Sequence, residues 1–140
     1  MSTKANKQLV QHTFAALFNS GNLAMADELV SADFVNHEAP PDAPRGPEGM
    51  RQIVAMLRTA FPDLHYEIKE LIAEGDWVAA RTILHGTHNG PLFGIAPTGR
   101  QVVQEQIHLI RFANGKGVEH RAVRDDLGLL RQLGVIPDRP

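Results

Sequence analysis

The segment from Val102 to Phe112 has the composition of a β-strand, but one of its faces is not uniformly apolar. Successive side chains of a strand point to opposite faces, so Gln104, Gln106 and His108 form one row. If this row faced solvent, the neighbouring apolar residue Ile110 would also be exposed to water. A concave sheet that closes over a polar-lined pocket avoids that conflict. The sequence therefore predicts a small-molecule pocket around His108.

A second histidine is predicted to share the face of His108. The dipeptide Asn114-Gly115 marks a hairpin turn, and a three-residue loop there keeps even-numbered residues opposite even-numbered ones, whereas a two-residue turn does not. The favourable cross-strand pairs that support the three-residue loop are Arg111 with Glu119, Phe112 with Val118 and Ile107 with Val123. This register places His120 and Ala122 beside His108.

Two neighbouring, partly buried imidazoles are expected to have lowered pKa values, because burial and mutual repulsion both disfavour the charged form. A neutral histidine at a pocket can act as a base or as a hydrogen-bond donor. The alternative is that His108 and His120 only satisfy one another in a mixed core.

Further candidates come from the rest of the chain. Asn36 and His37 stand where the second predicted helix gives way to a loop, a position suited to a pocket rim, and Trp77 is a candidate aromatic wall. His85 and His88 lie three apart on a predicted strand and so point to opposite faces, and no metal site is predicted. No nucleotide-binding or nucleophile-elbow motif is present, so any catalysis must be acid–base or electrostatic and no cofactor is expected.

Composition narrows the class of protein. The chain has 140 residues, 43% of them hydrophobic, which fits one domain over residues 1–140. Its net charge of −2 is spread along the chain without a basic stripe, which argues against nucleic acid as a partner. It has no signal-type apolar region and no apolar window of roughly 18 residues, so we expect no membrane association and a cytoplasmic protein. It has no cysteine, which excludes disulfides and thiolate catalysis.

The predicted elements follow the order of three helices and then four strands. The helices run from Lys4 to Phe18, from Leu23 to Val30 and from about Pro47 to just before Pro62; the strands are Leu64–Ala73, Trp77–Thr87, Arg100–Phe112 and Gly117–Arg124. A short helical tail starts at Asp126. Helices segregated from an antiparallel sheet define an α+β fold.

Several short motifs resemble those of SnoaL-like polyketide cyclases, a branch of the NTF2-like superfamily. They are Phe34-Val35-Asn36-His37, Gly46-Pro47-Glu48-Gly49, Glu105-Gln106-Ile107-His108-Leu109-Ile110-Arg111, Asn114-Gly115-Lys116, Glu119-His120-Arg121 and Leu130-Arg131-Gln132-Leu133-Gly134. The resemblance implies a cone in which a curved antiparallel sheet is wrapped by three N-terminal helices around a deep pocket. It also implies a homo-oligomer, a dimer or a tetramer, that binds a small aromatic or polyketide ligand.

The resemblance also implies an activity. Family members close a ring of an anthracycline precursor by an intramolecular aldol reaction without a cofactor, and Asn36, Gln106 and His108 match residues that line that active site. The family's acid–base aspartate is replaced by Ala122, so Asp125 and His120 are the candidates to support proton transfer around His108, with Gln104, His37 and Trp77 as further substrate-binding candidates. Three alternatives stay open: a cofactor-independent hydroxylase that works with a separate reductase, a non-catalytic small-molecule-binding module, and a purely structural interaction domain in which the outer face of the sheet forms a dimer interface.

Overall fold

The computed structural model describes residues 2–138, in which helices pack on one face of a five-stranded sheet. The helices are α1 (Thr3–Thr13), α2 (Ala26–Leu29), α3 (Gly46–Ala60) and α4 (Asp126–Gln132). The strands are β1 (Val30–Asn36), β2 (His65–Glu74), β3 (Trp77–Thr87), β4 (Gln101–Ala113) and β5 (Lys116–Arg124), in the spatial order β1-β5-β4-β3-β2. The predicted α+β class, with three N-terminal helices against the sheet, is confirmed.

The first helix begins at a capping residue and ends in a wider turn. The Ser2 hydroxyl accepts a hydrogen bond of 3.0 Å from the N–H of Ala5. Helical spacing buries Val10, Phe14 and Leu17 against the sheet. From Phe14 to Asn19 the helix is of the π type, and a 3₁₀ turn over Leu23–Met25 then leads into α2.

The second predicted helix is shorter than expected, because its last residue begins a strand instead. Val30–Asn36 forms β1, which pairs in parallel with β5 and adds an edge to an otherwise antiparallel sheet. Val30, Phe34 and Val35 are β-branched or aromatic residues that favour a strand. Asn36, predicted at a loop, is therefore the last residue of β1 and lies opposite His120.

The predicted alignment of β4 with β5 is correct over most of its length, although the turn differs. Ala113 pairs with Lys116, so the turn has two residues, with φ of 52° at Asn114 and 76° at Gly115, as a tight hairpin turn requires. A bulge at Val118 restores the predicted offset. The predicted pairs Arg111 with Glu119 and Ile107 with Val123 are present, whereas Phe112 pairs with Gly117 instead of Val118.

The core lies between the helices and the even-numbered side chains of β3 and β4. Val78, Ala80 and Leu84 of β3 are buried there together with Phe14 of the first helix. Polar side chains interrupt this apolar layer on β4, and that interruption is the candidate site. No helix within residues 2–138 is long and apolar enough to cross a membrane.

Candidate functional site

The row of polar side chains predicted on β4 lies on the buried face of the sheet. Gln104, Gln106 and His108 are only 3%, 2% and 4% exposed. Buried polar groups are stable when they are hydrogen-bonded, and these three are bonded to one another. Gln106 Nε2 donates to Gln104 Oε1 at 2.8 Å, and Gln106 Oε1 lies 2.7 Å from His108 Nε2. The row is therefore a continuous polar track inside the molecule.

The track extends in both directions beyond β4. At one end, Gln104 Nε2 donates to the Asp126 carboxylate at 3.1 Å. At the other, His108 Nδ1 lies 2.8 Å from His120 Nε2, and His120 Nδ1 lies 2.8 Å from Asn36 Oδ1. The predicted neighbourhood of His108, Gln106, His120 and Asn36 is thus present as one hydrogen-bonded chain.

The two imidazoles meet end to end and not face to face. Their centroids are 5.1 Å apart and their planes are inclined by only 26°. With a nitrogen–nitrogen distance of 2.8 Å, this geometry directs the hydrogen bond nearly in the plane of both rings. Such a contact requires one N–H and one lone pair, so the two rings are coupled in their protonation.

Aromatic rings surround His108 and disfavour its charged form. Phe14 and Tyr66 contact it in T-shaped arrangements, at centroid distances of 5.3 and 6.2 Å. Burial holds the pKa of His108 well below its ordinary value, and repulsion from a protonated His120 lowers it further. Burial, with smaller contributions from Arg124 and His37, lowers the pKa of His120 to about 3. Both rings are therefore neutral at physiological pH, as the sequence predicts.

The histidines face a cavity between α3 and the sheet. It has a volume of about 60 Å³, and His108, His120 and Asn36 form its polar wall. Ile110 and Phe112 line it as well, as the alternation on β4 predicts. In this conformation the cavity therefore has room for water but not for a polycyclic ligand.

Sequence reasoning missed Arg124, which also lines the cavity. Arg124 and His120 are both even-numbered residues of β5 and so point to the same face of the sheet, which is the signal in the sequence that could have identified Arg124. Its guanidinium approaches the Glu38 carboxylate at 3.7 Å, and within residues 2–138 it makes no shorter polar contact. Since a guanidinium has five N–H donors, Arg124 retains donors for an anionic oxygen in the cavity.

Five predicted site residues lie outside this cavity. Gln104 and Gln106, predicted to bind substrate, belong to the buried polar track and do not line the cavity. Asp125 is exposed and caps α4, where its Oδ1 accepts from the N–H of Gly128 at 2.9 Å. Trp77 is an odd-numbered residue of β3, whose even-numbered side chains are buried, and therefore points to the other face of the sheet. His37 also lies on that other face, in an open groove of about 720 Å³, and contacts Glu119 Oε2 at 2.9 Å.

The position at which the resemblance leads us to expect an acid–base aspartate lies beside His108. Ala122 lies directly opposite His108 in the pairing of β5 with β4. Its methyl group cannot transfer a proton, and no carboxylate lines the cavity within the part of the chain that the structure describes. The titratable groups of the cavity wall are His108, His120, Tyr66 and Arg124. Burial raises the pKa of Tyr66 to about 12, so its hydroxyl remains neutral.

The buried histidines predict an acid-sensitive fold. In the unfolded chain both rings take up a proton near their ordinary pKa of 6.5, whereas the folded protein resists protonation down to about pH 3 at His120. The unfolded state therefore binds more protons below pH 6.5, and stability falls as pH falls through that range. We expect a loss of about 1 kcal/mol per pH unit for each neutral ring.

Urea unfolding near neutral pH and about one unit below pH 6.5 measures this loss. His120→Gln should reduce the pH dependence, whereas His12→Gln, at an exposed position of α1, should not. Equal pH dependence in wild type and His120→Gln would contradict the prediction.

Comparison with known proteins assigns the family. The family model of the SnoaL-like polyketide cyclases matches residues 8–133. The chain is 40% identical over 120 residues to aklanonic acid methyl ester cyclase DnrD of Streptomyces peucetius, across 84% of this chain and 83% of that protein. TsrD from Streptomyces laurentii has a similar structure, with a TM-score of 0.89 and 29% identity over 97% of this chain and 99% of TsrD. AclR, a candidate hydroxylase from Streptomyces galilaeus, gives a TM-score of 0.83 and 34% identity over 99% of this chain and 87% of AclR. The chain belongs to the SnoaL-like polyketide cyclase family.

Proposed function

We propose that this protein closes a ring of an aromatic polyketide ester by an intramolecular aldol reaction, with the coupled histidines as its acid–base group. The observation that carries the proposal is the pair of neutral imidazoles, bonded at 2.8 Å, at the wall of a cavity in a cyclase-family fold. A substrate similar to aklanonic acid methyl ester is supported by the 40% identity to DnrD.

The reaction needs a base first and an acid later. A neutral imidazole accepts a proton from the carbon beside a substrate carbonyl, and the electron pair left there forms a bond to a second carbonyl carbon of the same molecule. The oxygen of that second carbonyl becomes an alkoxide and takes the proton back from the imidazolium. A positioned acid–base group contributes roughly 10²–10⁴-fold to such a reaction when its pKa lies near the working pH, and the pKa of about 3 puts His120 at the lower end of that range. No atom is lost, so substrate and product have the same mass.

Arg124 supplies the positive charge that these reaction steps need. The enolate and alkoxide oxygens are negative, and a preorganised cation in a site shielded from water stabilises them more than bulk water does. The 3.7 Å separation of Arg124 from Glu38 is long for an ion pair, so a substrate oxygen can replace that carboxylate at modest cost.

Substrate binding requires the cavity to widen. Ligand sites for molecules of this size are roughly 300–1,000 Å³, whereas the cavity has about 60 Å³. The helical wall consists of Met50, Ile53 and Leu57 on α3. Methionine adapts its shape readily, and we propose that α3 moves away from the sheet when the ligand enters.

The decisive experiment is to incubate the purified protein with aklanonic acid methyl ester, oxygen and a reducing partner, and to follow the products by mass. A product of unchanged mass at a new retention time supports ring closure. One added oxygen supports the hydroxylase alternative, for which the 34% identity to AclR and the alanine at position 122 speak. Ligand binding without turnover would identify a small-molecule-binding module, and no binding would refute the proposal.

Ala122→Asp separates the first two outcomes. Because Ala122 lies opposite His108, a carboxylate there adds an acid–base group beside the coupled histidines. We expect ring closure to become faster by about tenfold or more, within the range of acid–base effects. Ala122→Asn, of similar size but unable to exchange protons, is the matched control. A gain in hydroxylation alone would contradict the cyclase assignment.

We propose that the protein is a homo-oligomer that associates through the outer face of the sheet. Val103, Ile107, Leu109 and Val123 expose apolar side chains on that face, and Val123 is 77% exposed. Contiguous apolar patches on a soluble surface mark association sites, and a second copy offers the same patch. Val123→Lys should lower the mass measured by sedimentation, whereas Val135→Lys, exposed outside this sheet face, should not. A wild-type monomer would refute the proposal. The cytoplasmic location stays a prediction.

A further inference from the structure

We infer that His120, and not His108, presents the basic nitrogen to the substrate, and that a one-way chain of hydrogen bonds anchored at Asp126 fixes its tautomer. The inference rests on the proposed function only in naming the substrate as the proton donor.

Asp126 sets the direction of the hydrogen-bond chain. An ionised carboxylate only accepts hydrogen bonds, so Gln104 must turn its Nε2 group towards Asp126 at 3.1 Å. The Gln104 oxygen then accepts from Gln106 Nε2 at 2.8 Å, which leaves the Gln106 oxygen towards His108. That oxygen, 2.7 Å from His108 Nε2, accepts the proton that this nitrogen carries.

The same hydrogen-bond direction continues through both imidazoles. A neutral His108 with its proton on Nε2 has a lone pair on Nδ1, which accepts the Nε2 proton of His120 at 2.8 Å. The remaining nitrogen, His120 Nδ1, then carries a lone pair and faces the side-chain amide of Asn36. Every donor along the chain points towards Asp126, and the free basic site lies at the cavity end.

Two other arrangements are less favourable. The reverse direction turns the Gln104 carbonyl oxygen towards the Asp126 carboxylate, so two acceptors would face each other beside a buried side chain. An extra proton shared by the rings would place a cation among Phe14, Tyr66 and Arg124, where burial and like charge oppose it.

The forward direction requires only a local change at Asn36. Its Oδ1 lies 2.8 Å from His120 Nδ1 and also accepts from the exposed N–H of Glu38 at 3.0 Å. A half-turn of the amide presents its NH₂ group to the His120 lone pair, and water then satisfies the Glu38 N–H. Asn36 is therefore the one group that a ligand can replace without disturbing the buried hydrogen bonds between Gln104 and His120.

Accessibility agrees with this assignment. His108 is 4% exposed, and both of its nitrogens are engaged by protein groups, Gln106 on one side and His120 on the other. His120 is only partly buried, and its Nδ1 side is closed by a side chain at the end of β1. A carbon acid or a phenol that displaces Asn36 therefore meets His120 Nδ1. His108 acts as a positioning residue behind it, and Asp126 acts through the whole chain.

The test is to read the tautomers directly from the imidazole ¹⁵N shifts of the uniformly labelled, ligand-free protein at neutral pH. We expect both rings to be neutral and protonated on Nε2 alone. Asp126→Asn, whose amide can donate as well as accept, should produce a population with protonated Nδ1. Asp125→Asn is the matched control, since asparagine caps a helix as well as aspartate does and Asp125 does not contact Gln104; its tautomers should equal those of wild type.

Three results would overturn the inference: a proton on Nδ1 of His108 in the wild type, a second proton on the pair, or an Asp126→Asn spectrum identical to wild type. The wild-type spectrum decides the first two even if a variant fails to fold. No substrate is present, so the tautomers can contradict this inference while ring closure is observed, and ring closure can fail while the tautomers agree.

Discussion

His120→Ala is expected to lower kcat for ring closure by roughly 10²-fold, the lower end of the contribution of a positioned acid–base group, because the pKa of His120 lies well below the working pH. The variant removes the ring whose Nδ1 faces the cavity and leaves the hydrogen bond of His108 to Gln106 in place. His108→Ala removes the orienting partner of His120 but not the basic nitrogen, so we expect a smaller loss. Steady-state kinetics with a polyketide methyl ester measures both effects.

Chemical rescue separates a lost base from a damaged fold. The deleted His120 ring leaves space beside the cavity, and free imidazole added to the buffer should restore part of the turnover of His120→Ala. The same addition should do less for His108→Ala, whose ring is 4% exposed and enclosed by Phe14 and Tyr66. His65→Ala, at an exposed position of β2, is the matched control and should keep wild-type kinetics. Near-normal turnover in His120→Ala together with complete loss in His108→Ala would make His108 the base.

The buried polar row of β4 could be predicted because it depends on a local rule. Strand alternation fixes which side chains share a face, and the interruption of an apolar face by Gln104, Gln106 and His108 is visible in the sequence alone. The partner His120 followed from complementary pairs across the hairpin. The offset was right even though the turn was two residues long, because the bulge at Val118 compensates for the shorter turn.

The strand β1 could not be predicted by the same rule. Val30 continues the helical spacing of α2, and the pairing of β1 with β5 joins segments some 80 residues apart, as the contact of Asn36 with His120 illustrates. A parallel partner at that sequence distance leaves no local signal.

The anchor of the hydrogen-bond chain was missed for a related reason. Asp126 and Asp125 are adjacent in sequence, and only the placement of α4 against β4 decides which carboxylate reaches Gln104 and which caps the helix. Residue type alone favours neither, so the sequence predicts Asp125 near His108, whereas the structure joins Asp126 to the hydrogen-bond chain through Gln104.

Arg124→Gln is expected to lower kcat/KM by roughly 10²–10³-fold, the usual effect of removing one group that stabilises a developing oxyanion. The side chain lines the cavity and keeps unused donors, and glutamine retains hydrogen-bonding ability without the charge. The loss should appear mainly in kcat, because the negative charge is greatest on the enolate and alkoxide and small on the bound ketone.

The charge of Arg124 also acts on the histidines, which provides a second and independent measurement. Its positive charge contributes to the lowered pKa of both His108 and His120, so Arg124→Gln should raise both pKa values in an NMR titration without substrate. Glu38→Gln removes the partner at 3.7 Å and leaves the cation, so it should preserve turnover and shift both pKa values further down. A raised pKa with unchanged kcat in Arg124→Gln would mean that this cation tunes the histidines but does not stabilise the reacting oxygen. Loss of kcat in Arg124→Gln but not in Arg124→Lys would instead show that charge, and not the forked guanidinium, is what the reaction requires.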